Sequence, residues 1–339
     1  YQAPFDYNAD MDNVLDFNPH WGLGGANRQT IMGTLLPSRH KPPTPQQHTV
    51  TLDDGEQLFL YENGPRDCER PNIVLVHGLG GCYTSSYMQR ISAKLSQGGR
   101  RVFRVNLRGC DEGMSLARKT AHAGCSQDLA NAIAWIQQYT GQRDIAIAGF
   151  SLGANILLRM LAQHQHYPNL SIIRAVAFAP PIDLAYGCQQ LSIRHRGFYD
   201  RYFLKGLRRN LKRRRSMYPE CPYSTLNPFP KTLEEFDDRF TAPLNGFTGA
   251  ADYYQQSSSK YQLHEIQAAT TIIYANDDPV VPSEVFTDVE LSKSTKIYCT
   301  THGGHLGYLS QRLSTGDRRW MDSTAIDLLT EHSMHGNLC

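Results

Sequence analysis

No apolar run in this chain approaches the ~18 residues that a membrane span needs, and no basic-then-apolar stretch opens it. An excess of one charge is also missing. The 34 Lys and Arg stand against 32 Asp and Glu, a formal net charge of +2, so the composition points to no nucleic-acid partner and any basic patch must be local. The eight cysteines (Cys68, Cys82, Cys110, Cys125, Cys188, Cys221, Cys299 and Cys339) form no C-x-x-C pair and no metal-like spacing. That argues against a disulfide framework or a zinc site and fits small buried thiols kept reduced in a cytoplasm. Internal repeats and low-complexity tracts are absent.

What is present is an alternation. Residues 1–46, rich in Gly and Pro, read as an irregular segment on the surface. HTVTLDDGEQLFLYE then alternates polar and apolar residues around Asp54-Gly55, as in a hairpin closed by a primed turn. From NIVLVHG (72–78) onward, short apolar runs alternate with helical stretches: SSYMQRISAKLSQ, RVFRVNLRG, CSQDLANAIAWIQQYTG, DIAIAGF, LGANILLRMLAQ and IIRAVAFAPP. Strands and helices of these lengths predict a mostly parallel sheet covered by helices on both sides. The rhythm breaks near Ile182 and resumes with TTIIYAN, a helix over SEVFTDVELSK, strand TKIYCT and a terminal helix near WMDSTAIDLLTEH. The expected organisation is a core over 47–182 and 266–339, with a helical lid inserted at 183–265 near the strand ends that face the ligand crevice.

Ser151 lies in GFSLG, between an apolar run and a helical one. Gly149 and Gly153 flank it where a sharp strand-to-helix turn leaves no room for side chains, and such a turn lifts the hydroxyl to the end of the sheet. A hydroxyl becomes a nucleophile when a base takes its proton, an acid orients the base, and donors await the developing oxyanion. The acid is expected after a later strand, where YANDDPVVP offers Asp277 and Asp278. Asp278 is preferred for its spacing to the following prolines, Asp277 reads as a loop cap, and Asp183 in AFAPPID is a weaker candidate. The base is expected last, in THGGHLGY, where His305 lies beyond two glycines and His302 reads as a loop histidine. HGLGG at 77–81 allows close backbone approach, so the Leu79 and Leu152 amides are the expected oxyanion donors. His77 reads as support for that loop, since no G-K-[ST] follows for phosphate and no partner stands at metal-ligand spacing.

The order Ser, Asp, His, together with HGLGG, NLRGC (106–110), GFSLGAN, FDDRFTAPLNGFTGAADYY (236–254), ANDDP and THGGHLGY, resembles the YheT-like branch of the α/β-hydrolases. The resemblance runs from about residue 17 to 335 and includes Gln29-Thr30-Ile31. It implies an α/β-hydrolase fold with a small helical insert, and a triad that carries onto Ser151, Asp278 and His305. Relatives of this branch are described as esterases or hydrolases, some acting on lipids. Ala154 departs from the second Gly that many relatives carry after Gly153, a change that the first turn of a helix tolerates.

Within 194–215, Tyr199, Phe203, Leu207 and Leu211 recur every four residues, giving an amphipathic helix that ends in Arg208, Arg209, Lys212, Arg213, Arg214 and Arg215. A lid helix with a solvated basic face is the plain reading. Contact with an anionic membrane surface or with an anionic substrate such as an acyl-CoA is the sharper one. The expected function is hydrolysis of a small, lipid-like carboxylic ester through an acyl-enzyme, without metal or organic cofactor. Thioester hydrolysis, acyl transfer by the same triad, and a non-catalytic binding protein are the alternatives.

Overall fold

The computed structural model describes residues 13–36, 40–220, 227–313 and 317–330. Cys221, Cys339 and part of the Pro-rich passage lie outside the described residues. Eight strands form one sheet: β1 (Gln46–Thr51), β2 (Gln57–Asn63), β3 (Asn72–Val76), β4 (Val102–Asn106), β5 (Asp144–Phe150), β6 (Ser171–Phe178), β7 (Thr270–Ala275) and β8 (Thr295–Thr300). Their order is β1-β2-β4-β3-β5-β6-β7-β8. β2 pairs antiparallel with β1 and β4, and every other neighbouring pair is parallel. All five residues of β3 and of β4 are buried, as expected of strands covered on both faces by crossover helices.

The helices are α1 (Ala26–Leu35), α2 (Ser86–Gln97), α3 (Ser126–Thr140), α4 (Leu152–Ala162), α5 (Leu184–Ile193), α6 (Phe198–Met217), α7 (Leu233–Phe236), α8 (Ala242–Leu244), α9 (Ala250–Ser257) and α10 (Trp320–Thr330). Met88, Ile91 and Leu95 of α2 pack with Met321, Ala325 and Leu329 of α10 in the core on one side of the sheet. Leu129, Ile133 and Ile136 of α3 join Ile156, Leu157 and Leu161 of α4 on the other. Each such side chain, fully buried, contributes roughly 1.5–3 kcal/mol by leaving water, so the two layers fix the sheet from both sides. α5 to α9 fall between β6 and β7. Among the described residues, no helix is long and apolar enough to cross a membrane.

Four local expectations are corrected. The hairpin is not closed by a primed turn. Asp53 and Asp54 keep negative φ, only Gly55 is left-handed (φ +84°), and the Gly55 N–H donates to the Leu52 carbonyl while the Leu52 N–H donates to that of Glu56. Residues 283–293 do not form an α-helix: one 3₁₀ turn, Ser283–Phe286, follows Pro282, and the positive φ of Asp288 ends any continuation. Arg214 does not join the solvated basic face. It sits one turn beyond Leu211 on the inward stripe, buried, and its guanidinium donates to the carbonyls of Ala117 (2.9 Å), Lys119 (3.3 Å) and Arg118.

The fourth correction concerns the amino-terminal segment, which carries α1 rather than irregular chain alone. α1 has no apolar stripe to announce it, because Ile31 and Leu35 face water while Gln29 and Gly33 are buried. It is held by polar and close backbone contacts to the loop after β8. Gln29 accepts from the Leu309 N–H through Oε1 (2.7 Å) and donates through Nε2 to the Leu309 carbonyl (3.0 Å). A Cβ on Gly307 would lie 2.4 Å from the Gln29 carbonyl oxygen, and one on Gly33 would lie 2.7 Å from the Gly307 Cα. Gly307→Ala is therefore expected to lower stability by about 1–3 kcal/mol. Gly24→Ala, where a Cβ meets nothing within 4 Å, should stay within about 0.5 kcal/mol of the parent. Equal denaturant midpoints for the two variants would remove the role given to this contact.

Candidate active site

β5 ends at Phe150 and α4 begins at Leu152, so the chain must reverse direction at Ser151 alone. It does so with φ +52° and ψ −121°, a conformation that costs about 1–3 kcal/mol in a non-Gly residue. The surroundings hold it there. The Ser151 N–H donates to the Phe178 carbonyl of β6 at 2.8 Å, and the Ser151 carbonyl accepts from Ala154 (2.8 Å) and Asn155 (3.1 Å). The flanking glycines are required by space: a Cβ on Gly149 would lie 2.7 Å from the Ala154 Cα, and one on Gly153 would lie 2.4 Å from the His77 carbonyl oxygen. Leu152, first in α4, has no intrahelical acceptor for its N–H, and the helix presents its positive end there.

The loops after β7 and β8 bring two further side chains to this turn. His305 Nδ1 lies 2.8 Å from Asp278 Oδ2, and its Nε2 lies 3.0 Å from Ser151 Oγ. The Asp278 carboxylate is a pure acceptor, so it holds the proton on Nδ1 and leaves Nε2 to accept from the serine hydroxyl. Asp278 is oriented in turn by the N–H groups of Val280 (2.7 Å) and Val281 (2.9 Å), both donating to Oδ1. The two side chains are nearly enclosed, 10% exposed for His305 and 1% for Asp278.

The other sequence candidates stand outside this chain of hydrogen bonds. Asp277 Oδ1 accepts from the Gly304 N–H at 2.9 Å, and its Oδ2 faces His302 Nδ1 at 3.5 Å on a side chain 45% exposed. Asp183 caps α5 by accepting from the Tyr186 N–H (3.1 Å) and pairs with Lys260 at 3.6 Å. His77 is buried beneath the HGLGG loop. Its Nε2 accepts from the Leu107 N–H at 3.1 Å and its Nδ1 donates to the Gly78 carbonyl at 2.9 Å. Burial pushes its pKa down to about 4, so it is neutral and fully engaged. Close approach of that loop is literal, since a Cβ on Gly78 would lie 3.0 Å from the Ser151 Cβ.

Two contributions were not foreseen from residue types. Thr30 of α1 accepts the His305 backbone N–H on Oγ1 at 2.9 Å while donating to the Ala26 carbonyl at 2.8 Å. Tyr87 of α2 accepts the Gly78 N–H at 3.0 Å, fixing the loop that precedes Leu79. The only signal for Thr30 was its place in the Gln29-Thr30-Ile31 stretch.

Ser151 opens onto a cavity of about 290 Å³ bordered by Leu79 and Leu152. Phe203, Leu207 and Leu211 of α6 roof it, and Phe236, Phe240, Tyr253 and Tyr254 line it further on. Charged side chains also border it, among them Asp111, Asp183, Arg213 and Asp237, and Asp237 Oδ2 accepts from the Tyr254 hydroxyl at 2.9 Å. Burial raises the Asp237 pKa to about 7, against the lowering effect of its bonds to Thr241 and Tyr254.

A family model described as the α/β-hydrolase fold matches residues 71–310. The chain belongs to the α/β-hydrolase family. It is 29% identical over 328 residues to YheT of Escherichia coli strain K12, named provisionally as an esterase, covering 95% of each chain. It is also 29% identical over 299 residues to the medium-chain fatty acid ethyl ester synthase/esterase 2 of Saccharomyces cerevisiae, covering 79% of this chain and 64% of that protein. Among solved structures, the Pyrococcus furiosus esterase Pf2001 superposes with a TM-score of 0.53 at 15% identity, covering 85% of this chain and 92% of that one. That likeness speaks for the fold of this hydrolase.

Asp237 gives the folded hydrolase a pH dependence with a definite sign. Its folded-state pKa lies above the unfolded value of about 3.9, so the folded chain binds more protons between the two. Its contribution is fully present below the unfolded value and is lost as pH rises through about 7. Asp237→Asn is therefore expected to raise Tm relative to the parent increasingly from pH 4.5 to pH 8, by thermal unfolding in matched buffers. A constant difference across that range would contradict the buried, proton-holding carboxyl.

Proposed function

We propose that this hydrolase is a serine esterase that cleaves carboxylic esters with an apolar acyl group through an acyl-enzyme. The observation that carries the reading is the hydrogen-bond chain from Ser151 Oγ through His305 to Asp278, 3.0 and 2.8 Å, at the mouth of an apolar cavity. Ser151 Oγ attacks the ester carbonyl as its proton passes to His305 Nε2, and Asp278 stabilises the imidazolium formed. The Leu79 and Leu152 amides donate to the oxyanion, where α4 adds its positive end. The tetrahedral intermediate collapses by breaking the bond to the alkoxy oxygen, which takes the proton from Nε2 and leaves as the alcohol. Water then gives its proton to His305 and attacks the acyl-serine, and the carboxylic acid departs as Ser151 regains its hydrogen.

The cavity lining supports the acyl side of this reading. Hydrocarbon gains roughly 0.8 kcal/mol per buried CH₂, so an aliphatic chain is favoured against Phe203, Leu207 and Phe240. Relatives named for fatty acid ethyl esters and for monoacylglycerol agree with that class. Turnover of p-nitrophenyl butyrate and octanoate is the test, with the matching acyl-CoA thioesters as the second arm. Ser151→Ala is expected to reduce kcat by about 10³-fold or more, and parent-like turnover by that variant would overturn the assignment. Thr30→Val should lower kcat roughly tenfold, because a 1 Å displacement of a catalytic group is costly, with KM little changed. A parent-like kcat in that variant would remove Thr30 from the positioning of His305.

A further inference from the structure

The lid helix has two faces, and the reaction uses only one. At 100° per residue, Tyr199, Asp200, Leu204, Leu211 and Arg214 fall on one side of α6 and are buried. Phe198, Arg201, Tyr202, Lys205, Arg209 and Lys212 fall on the opposite side and are exposed. Phe198 is 48% and Tyr202 60% exposed. The helix carries eight Lys and Arg and a single acid, Asp200, which is buried and accepts the Leu233 N–H at 2.8 Å. No carboxylate therefore interrupts the outer face. Arg213 pairs with Asp111 at 3.7 Å, but among the described residues none pairs with Lys205, Arg209 or Lys212. With a net charge of only +2 on the whole chain, this is a concentration of charge on one helix rather than a general property of the surface.

The start of α6 is tied to a second element that carries exposed apolar groups. The Tyr199 hydroxyl donates to Asn27 Oδ1 at 2.7 Å, which ties the start of α6 to α1. Asn27, Ile31 and Leu35 are spaced four apart along α1, so they share its outward side, where Leu35 is 69% exposed and Ile31 38%. Folding has left these apolar side chains in water on an element joined to the cationic helix. A nucleic acid would reward the cations but not Ile31 and Leu35, whereas a buried protein interface would be depleted of Lys. Anionic headgroups above hydrocarbon satisfy both, the cations meeting phosphates and the apolar and aromatic groups entering the headgroup boundary.

We propose that the outer faces of α6 and α1 dock this hydrolase on an anionic phospholipid surface. The inner face of the same helix roofs the cavity at Ser151 through Phe203 and Leu207, so docking would set the lid itself against the lipid. This goes beyond the esterase reading and does not depend on it.

Sedimentation of the whole chain with sucrose-loaded vesicles tests the proposal, comparing phosphatidylcholine alone with phosphatidylcholine containing roughly 30 mol % phosphatidylglycerol. Binding to the anionic vesicles is expected to be at least about tenfold tighter. The combined variant Lys205→Glu, Arg209→Glu, Lys212→Glu should lose that excess, and Phe198→Ser with Tyr202→Ser should weaken binding to the same vesicles several-fold. None of these five side chains borders the cavity, so hydrolysis of a water-soluble short ester should be unchanged and reports that each variant is folded. Equal binding to both vesicles, or full binding by the charge-reversed variant, overturns the proposal. So does tight binding of single-stranded RNA by a chain that ignores the vesicles. A chain that binds anionic vesicles yet hydrolyses no ester sustains the docking and removes the esterase reading.

Discussion

The geometry of the site depends on one strained residue. Ser151 is forced to φ +52° because β5 must end and α4 begin within a single position, and backbone holds it: the Phe178 carbonyl on one side and the Val76 and His77 carbonyls packed against Gly153 on the other. The sheet core, buried on both faces, supplies the stability against which the strain is set. In return the hydroxyl stands clear of the sheet, and the free end of α4 lies beside it. A side chain at either flanking glycine would overlap backbone at under 3 Å, so the motif is a steric requirement before it is a chemical one.

The histidine loop answers to a different constraint. His305 must reach from β8 back to Ser151, and its two glycines, Gly303 (φ +151°) and Gly304 (φ +57°), allow that path without fixing it. α1 fixes it. Gln29 clamps the Leu309 backbone from both sides, Thr30 takes the His305 N–H, and Gly33 lets the two backbones touch at Gly307. A helix at the amino-terminal end of the chain thus sets the position of a side chain near its carboxyl end. Tyr199 extends the connection to α6 through Asn27.

The contrast between what was legible in the sequence and what was not follows from this. Buried parallel strands write themselves as apolar runs, and the three candidates in the turn and loops that follow them, Ser151, Asp278 and His305, which the structure brings within hydrogen-bond reach, stand out because such turns and loops carry Gly and Pro at set spacings. α1 left no such mark. Its buried face is Gln29 and Gly33 and its exposed face is Ile31 and Leu35, an inversion of the usual pattern that no periodicity detects. Arg214 was unreadable for a related reason: in a run of like charges, nothing local distinguishes the one guanidinium that turns inward to cap the carbonyls of 117–119. The hairpin at Asp54-Gly55 differs from its expected turn because left-handed φ is confined to Gly55.

The central claim is that the strained turn presents Ser151 to His305 as an activated nucleophile. Its most direct measurement is the site of covalent attachment of a fluorophosphonate probe, mapped by peptide mass spectrometry on the intact protein. The account predicts a single adduct on the peptide carrying Ser151, formed at least about a hundredfold more slowly when His305 is replaced by Gln, because the serine is a weak nucleophile without its base. An adduct on another residue, or equal labelling rates with and without His305, would contradict it.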